Sequence, residues 1–318
     1  MLRTTTALQR LDISADRVWD SPEASKEGMF SVLAALGDNK TVEVAHFTVS
    51  HHLLDDPSVI RAFAALLRSN TALKELRLNR SDSEEDGLND VMVDDPVGRG
   101  AAVQEFYEAL GANTSLETLK LDPSDWGING ETFGTSMARN RTLRHLQVWC
   151  WDVSVEGARK MGRGLAKVRS FRSLTICLDN EGQVLALLDG LWKNKACRSQ
   201  MQRLHIGAES KLSCKVAQKL ADVLALDQCT LQYLHVRDNA FGVAGARALS
   251  EALRTNTSLV SLAVEWSGLT KDGVMALLDA LQDNTTLRRL VLGSIWEKHE
   301  LSTSMKEAVE RVHAHVLV

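Results

Sequence analysis

Leucines return at a fixed distance in the last third of the chain. Leu231, Leu259 and Leu287 stand 28 residues apart, and each opens the pattern Leu-x-x-Leu-x-[Leu/Val]. Within each unit the period of the apolar positions then changes. Leu231, Leu234 and Val236 fit a short strand, whose side chains alternate between two faces. Ala246, Ala248, Leu249, Ala252 and Leu253 follow helical spacing instead, with small residues that let a helix pack closely. Gly245 and Gly273 each fall 14 residues after an opening leucine. Asn256 stands just before the next copy and is read as the close of a helix, where residues tolerant of left-handed backbone are favoured. The unit is strand, turn, helix and return. One unit cannot bury its single apolar face, so neighbours must stack into a solenoid.

Weaker copies extend toward the N-terminus. The opening apolar positions are Leu8, Val42, Leu73, Leu116, Leu143, Phe171, Met201, Leu231, Leu259 and Leu287, which makes ten strands. An asparagine precedes six of the nine later strands by three residues, at Asn39, Asn70, Asn113, Asn140, Asn256 and Asn284. Phe171, Met201 and Leu231 lack it, so the middle of the array is degenerate. Helices are expected near 22–36, 57–67, 97–110, 130–138, 155–165, 182–192, 214–224, 243–253, 271–281 and 303–315. Ser21-Pro22 and Asp56-Pro57 are starts of the cap-then-proline kind. Ser213, Thr270 and Ser302 are further candidate N-caps.

The spacing places the whole chain, 1–318, in a single repeat domain with two breaks in its period. The stretch 81–97, SDSEEDGLNDVMVDDPV, has seven acids and no base, and reads as an exposed insertion between a strand and its helix. At the N-terminus the first strand is expected to have no capping unit before it. Its open edge favours association with a partner chain or a second copy. At the other end, a polar helix near 302–315 would serve as a C-terminal cap.

The stretch LQYLHVRDNAFGVAGARALSEAL and its copies resemble the leucine-rich repeat family, ribonuclease-inhibitor-like subclass. Asn239 matches the family's asparagine after the strand, and Gly130, Gly157, Gly245 and Gly273 match its glycine at the helix start. The resemblance implies an α/β solenoid, a horseshoe of about ten repeats with a parallel sheet on the concave face and helices outside. It leaves function open. The same family holds GTPase activators and immune-receptor sensor domains. This chain lacks the cysteine-rich composition of ribonuclease inhibitor and the acidic C-terminal tail of the activators, and shows no nucleotide-binding domain before the repeats.

Charge and composition narrow the function classes. The chain carries 37 basic and 41 acidic residues, a balance of −4, and without the acids of 81–97 the balance turns to +3. A near-neutral body is not built to follow a nucleic-acid backbone. Cys150, Cys177, Cys197, Cys214 and Cys229 show no C-x-x-C spacing, and their odd number fits reduced thiols in the cytoplasm. The N-terminus has no signal-peptide pattern and the chain no apolar run long enough to span a membrane. No phosphate-binding loop, dinucleotide fingerprint, zinc-protease motif or nucleophile elbow is present. The chain is therefore read as a non-enzyme without a cofactor.

The strand pattern itself nominates a binding surface. In each repeat the third, fifth and seventh positions point away from the core. His205 and His235 share the fifth position on adjacent strands, with Cys177 nearby, but a zinc site needs three or four such ligands, so partner-facing histidines are the preferred reading. Trp126 sits at a loop position that is ordinarily apolar and is assigned to the core. Aromatic and arginine side chains, which dominate binding energy at interfaces, are denser in strands five to nine. The candidate partner-binding residues are His145, Gln147, Trp149, Arg203, His205, Tyr233, His235, Arg237, Glu265 and Trp266. The expected function is a scaffold that presents this rigid face to another protein. A regulator of a small GTPase and a structural subunit of a larger assembly are the alternatives.

Overall fold

The computed structural model describes residues 2–14, 22–81, 96–122, 126, 129–149, 153–192, 200–236, 239–264, 268–292 and 315–317. Two compact units, Met1–Phe171 and Arg172–Val318, repeat the same alternation of strand and helix. In the first, β1 (Arg10–Ser14), β2 (Val44–Val49), β3 (Glu75–Arg80), β4 (Thr118–Asp122) and β5 (His145–Trp149) are parallel and paired in chain order. Its helices are α1 (Pro22–Asp38), α2 (His51–Asp55), α3 (Pro57–Ser69), α4 (Pro96–Ala112), α5 (Gly130–Met137) and α6 (Val155–Leu165). In the second unit the order is β6 (Ser173–Leu178), β7 (Arg203–Ala208), β8 (Tyr233–Val236), β9 (Ser261–Ala263), β10 (Arg289–Val291) and β11 (His315–Leu317), again parallel throughout. Its described helices are α7 (Glu181–Trp192), α8 (Cys214–Leu224), α9 (Gly242–Thr255) and α10 (Lys271–Ala280).

All ten expected strands are present, and β11 adds one that the repeat pattern did not announce. His315, assigned above to the end of a capping helix, pairs with Arg289 as the first residue of that strand. The rest of that helix, 302–314, lies outside the described residues, as does 82–95 of the acidic insertion. The insertion's flanks are described. Ser81 is buried and donates its N–H to the Val49 carbonyl at 3.0 Å, and α4 begins at Pro96.

Strand alternation builds the core. In β2, Ala45, Phe47 and Val49 are buried while the residues between them are half-exposed. Aromatic rings meet within the core of the first unit. Phe47 meets Phe63 edge-on with centroids 5.2 Å apart, and Tyr107 meets Phe133 in the same way at 5.2 Å. Trp126 is core, as expected. It is 3% exposed, donates its indole N–H to the Leu54 carbonyl at 2.9 Å and packs edge-on to Phe106. Helix starts agree where they are described. The Asp56 carboxylate accepts from the N–H groups of Ser58 and Val59, and the Ser213 hydroxyl from Lys215. Thr270 holds the N-cap position of α10 without a side-chain bond.

The recurrent asparagines are not left-handed caps. Asn70 and Asn256 have extended backbone, at φ −82°, ψ 130° and φ −73°, ψ 129°. Their use is to tie repeats together. The Asn70 side-chain oxygen accepts from the N–H groups of Ala72 and Leu73, and its amide donates to the Leu36 and Asn39 carbonyls of the repeat before. Asn256 and Asn284 repeat the arrangement in the second unit. Asn39 follows it too, reaching the Leu2 and Thr5 carbonyls. The residues before β1 therefore supply the acceptors that a preceding repeat supplies elsewhere.

Candidate protein-interaction face

Register fixes which outward side chains are neighbours. In the second unit the third strand positions form the row Ser173, Arg203, Tyr233, Ser261, Arg289. The fifth positions form the row Thr175, His205, His235, Ala263, Val291. Cys177 and Gly207 share the seventh position. The first unit has its own rows. Arg10, Val44, Glu75, Thr118 and His145 make the third, and Asp12, His46, Arg77, Lys120 and Gln147 the fifth.

Charges on the first unit's face are consumed by one another. Arg10 donates from Nε to Asp12 at 2.7 Å, and His46 stands between two carboxylates, 3.0 Å from Asp12 and 3.1 Å from Glu75. Lys120 Nζ donates to the same Glu75 carboxylate at 3.0 Å, and Arg77 Nε to Asn79 at 2.9 Å. The hydrogen bond from Arg10 holds the Asp12 carboxyl below its ordinary value. This lattice was not anticipated from the chain.

The second unit differs in kind. The rings of His205 and His235 stack with centroids 4.3 Å apart and planes 13° from parallel. The Arg203 guanidinium lies over the Tyr233 ring, 4.7 Å from its centroid, and Tyr233 as a residue is 39% exposed. Both arrangements follow from identical strand positions on neighbouring strands, which the parallel ladder sets about 4.8 Å apart. These four residues line an open depression of about 410 Å³ together with Ser173, Thr175, Ser261, Ala263, Arg289 and Val291. Cys177 is half-buried beside it, and burial, then the charge of Glu209, pushes its thiol pKa up, so it is not an activated nucleophile.

Of the nominated residues, the structure brings Arg203, His205, Tyr233 and His235 into one site. His145, Gln147 and Trp149 lie on β5 in the first unit, with His145 exposed and the other two half-exposed. Arg237, Glu265 and Trp266 lie outside the described residues. Arg289, which was not nominated, joins the site because β10 continues the same register. Among the described residues there is no group of three histidine, cysteine or acidic side chains able to hold a metal ion, and no helix long and apolar enough to cross a membrane.

A family model described as Leucine Rich repeat matches residues 227–250 and 255–278. The chain is 26% identical over 171 residues to the capping protein, Arp2/3 and myosin-I linker protein 3 of Rattus norvegicus, covering 53% of this chain and 12% of that one. It is 36% identical over 207 residues to the NACHT, LRR and PYD domains-containing protein 14 of Mus musculus, covering 55% of this chain and 20% of that protein. Against the ribonuclease inhibitor of Mus musculus it is 23% identical over 291 residues, covering 78% of this chain and 64% of the inhibitor. The chain thus spans only a small part of the first two relatives' length.

Proposed function

Because the chain belongs to the leucine-rich repeat family, with repeats of the ribonuclease-inhibitor type, we propose that it is a non-enzymatic module holding a partner protein on the outward sheet face of its second unit. The observation that carries this reading is the exposed Tyr233 ring backed by Arg203 and flanked by the stacked His205 and His235. Tyrosine and arginine are the side-chain types that most often dominate interface energies. A parallel sheet holds them without loops to order, so little conformational entropy is lost on docking. His145, Gln147 and Trp149 belong to the first unit's own face.

The relatives' names support a protein partner, since one is a linker of named proteins and another an inhibitor of an enzyme. The test is parallel affinity capture with the natural chain and with Tyr233→Ala, followed by titration of whatever the first retains. Loss of the captured protein at an unchanged melting midpoint is the expected result. Retention of every captured protein by Tyr233→Ala and by Arg203→Ala would move the docking surface elsewhere.

A further inference from the structure

The depression on the second unit has a marked polarity. Its lining holds two arginines, two histidines, a tyrosine and three hydroxyl residues, and no carboxylate. Its two arginines are not consumed as the charges of Arg10 and Lys120 are in the first unit. Arg203 meets the Tyr233 ring, and neither it nor Arg289 makes an ion pair among the described residues. Resting on the reading of this face as a docking surface, we propose that its partner presents an extended acidic segment, with glutamate or aspartate side chains on either side of an apolar residue.

Spacing argues for a segment rather than a single anion. Arg203 and Arg289 share a row on β7 and β10, three strand steps apart. At about 4.8 Å a step their backbones stand roughly 14 Å apart, the span of about four residues of extended chain. Arg203 leans over Tyr233, one strand toward Arg289, and a gap of about two steps, roughly 10 Å, remains. Two acidic side chains about three to four positions apart therefore satisfy both arginines better than one shared carboxylate or phosphate. Between them the face is less polar, with the exposed Tyr233 ring, Ala263 and Val291. The hydroxyls of Ser173, Thr175 and Ser261 add donors for carboxylate oxygens. Arginine pairs with carboxylates through two parallel hydrogen bonds, which gives the site direction as well as charge.

The experiment uses the full chain and fluorescence anisotropy with a labelled peptide, Gly-Glu-Glu-Leu-Phe-Leu-Glu-Glu-Gly. Comparison peptides carry lysine, or phosphoserine, in place of every glutamate. The glutamate peptide is expected to bind, more weakly as salt is raised. Arg203→Glu and Arg289→Glu should each weaken it about tenfold or more, as truncated charge pairs do. Arg247→Glu, on the exposed face of α9, should leave it unchanged. Melting midpoints verify folding, and Arg203→Gln with Arg289→Gln replaces any reversal that unfolds the chain. Several outcomes overturn the inference: no binding of the glutamate peptide, binding indifferent to both arginine changes, or binding of the phosphoserine peptide alone. Binding of the lysine peptide in a manner abolished by Tyr233→Ala also overturns the acidic partner, while leaving this face as the docking surface.

Discussion

The Asn70 side-chain amide donates to the Leu36 carbonyl at 2.6 Å, across 34 residues of chain. One side chain thus closes the return of its own repeat and fastens the repeat before it. Asn70 is 2% exposed, and its partners Leu36, Asn39 and Leu73 are buried with it.

Asn70→Ala should therefore be among the most damaging small substitutions in the first unit. It removes the acceptor of two backbone N–H groups, of which that of Leu73 is buried, and the side-chain donor to the Asn39 carbonyl, while the Leu36 carbonyl keeps the Asn39 N–H. At about 1–3 kcal/mol for an unsatisfied buried group, and with partial relaxation, a loss of roughly 3 kcal/mol is expected. Urea unfolding reads it directly. Asn70→Asp keeps the acceptor but not the donor, and should also destabilise. A loss near zero for both would mean that the asparagine is a spectator of the turn.

Where the asparagine is absent, a hydroxyl continues the bridging. Val168 stands in its place before β6, and the Ser170 hydroxyl donates to the Leu143 carbonyl at 2.8 Å. In the second unit Ser258 makes the matching bond to Leu231 at 3.0 Å, but beside Asn256. Ser170→Ala should lower stability by about 1 kcal/mol, the worth of one such bond, and Ser258→Ala by less. Equal losses at the two sites would show that the neighbouring asparagine gives no redundancy.

Much of this was legible in the chain. The 28-residue spacing of leucines located every strand but β11, and the outward register that followed placed Arg203, His205, Tyr233 and His235 on one face. Trp126 was assigned to the core and is there. The recurrence of asparagine was seen, but its role was misread, because a helix-end position suggests left-handed backbone while the bonds to Leu36 and Asn39 appear only when repeats stack. His46 between Asp12 and Glu75 was invisible for a related reason. Pairing depends on which neighbours the rotamers reach, and a one-dimensional pattern carries position without rotamer. The short helix α2 and the strand β11 fall outside the periodic template, so the period could not announce them.

Two glycines make a paired test of helix packing. A methyl on Gly134 of α5 would run into the Lys160 backbone of α6, whereas a methyl on Gly100 of α4 would meet nothing within 4 Å. Gly134→Ala should destabilise by about 1–3 kcal/mol through forced separation of the two helices. Gly100→Ala should stabilise by roughly 0.5–1 kcal/mol, because alanine loses less backbone freedom in a helix. Thermal unfolding of both variants checks the pair, and matching signs would contradict the packing argument.

Glu75 gives the first unit a specific response to acid. Burial, the largest single influence, pushes its pKa up. The hydrogen bonds from Lys120 and His46, and then their charges, outweigh burial and leave the carboxyl below its ordinary value. A carboxyl whose pKa is lower in the folded than in the unfolded chain stabilises the fold when ionised. That contribution is complete above the unfolded value, about 4.3 for glutamate, and fades as pH falls through the lower folded value. Asp56 is shifted in the same direction by Lys26 and Ser58 against its own burial, so the acid limb of the natural chain alone does not isolate Glu75. The difference between the natural chain and Glu75→Gln does. At pH 7 the natural chain should be the more stable, by an amount that shrinks in high salt because the pair is partly exposed. Below about pH 4.3 the gap should narrow and then close as Glu75 takes up its proton. Urea unfolding of both proteins across this range measures the gap. A gap that stays constant into strong acid, or widens there, would show that the Lys120–Glu75–His46 bridge contributes nothing to the fold as an ion pair.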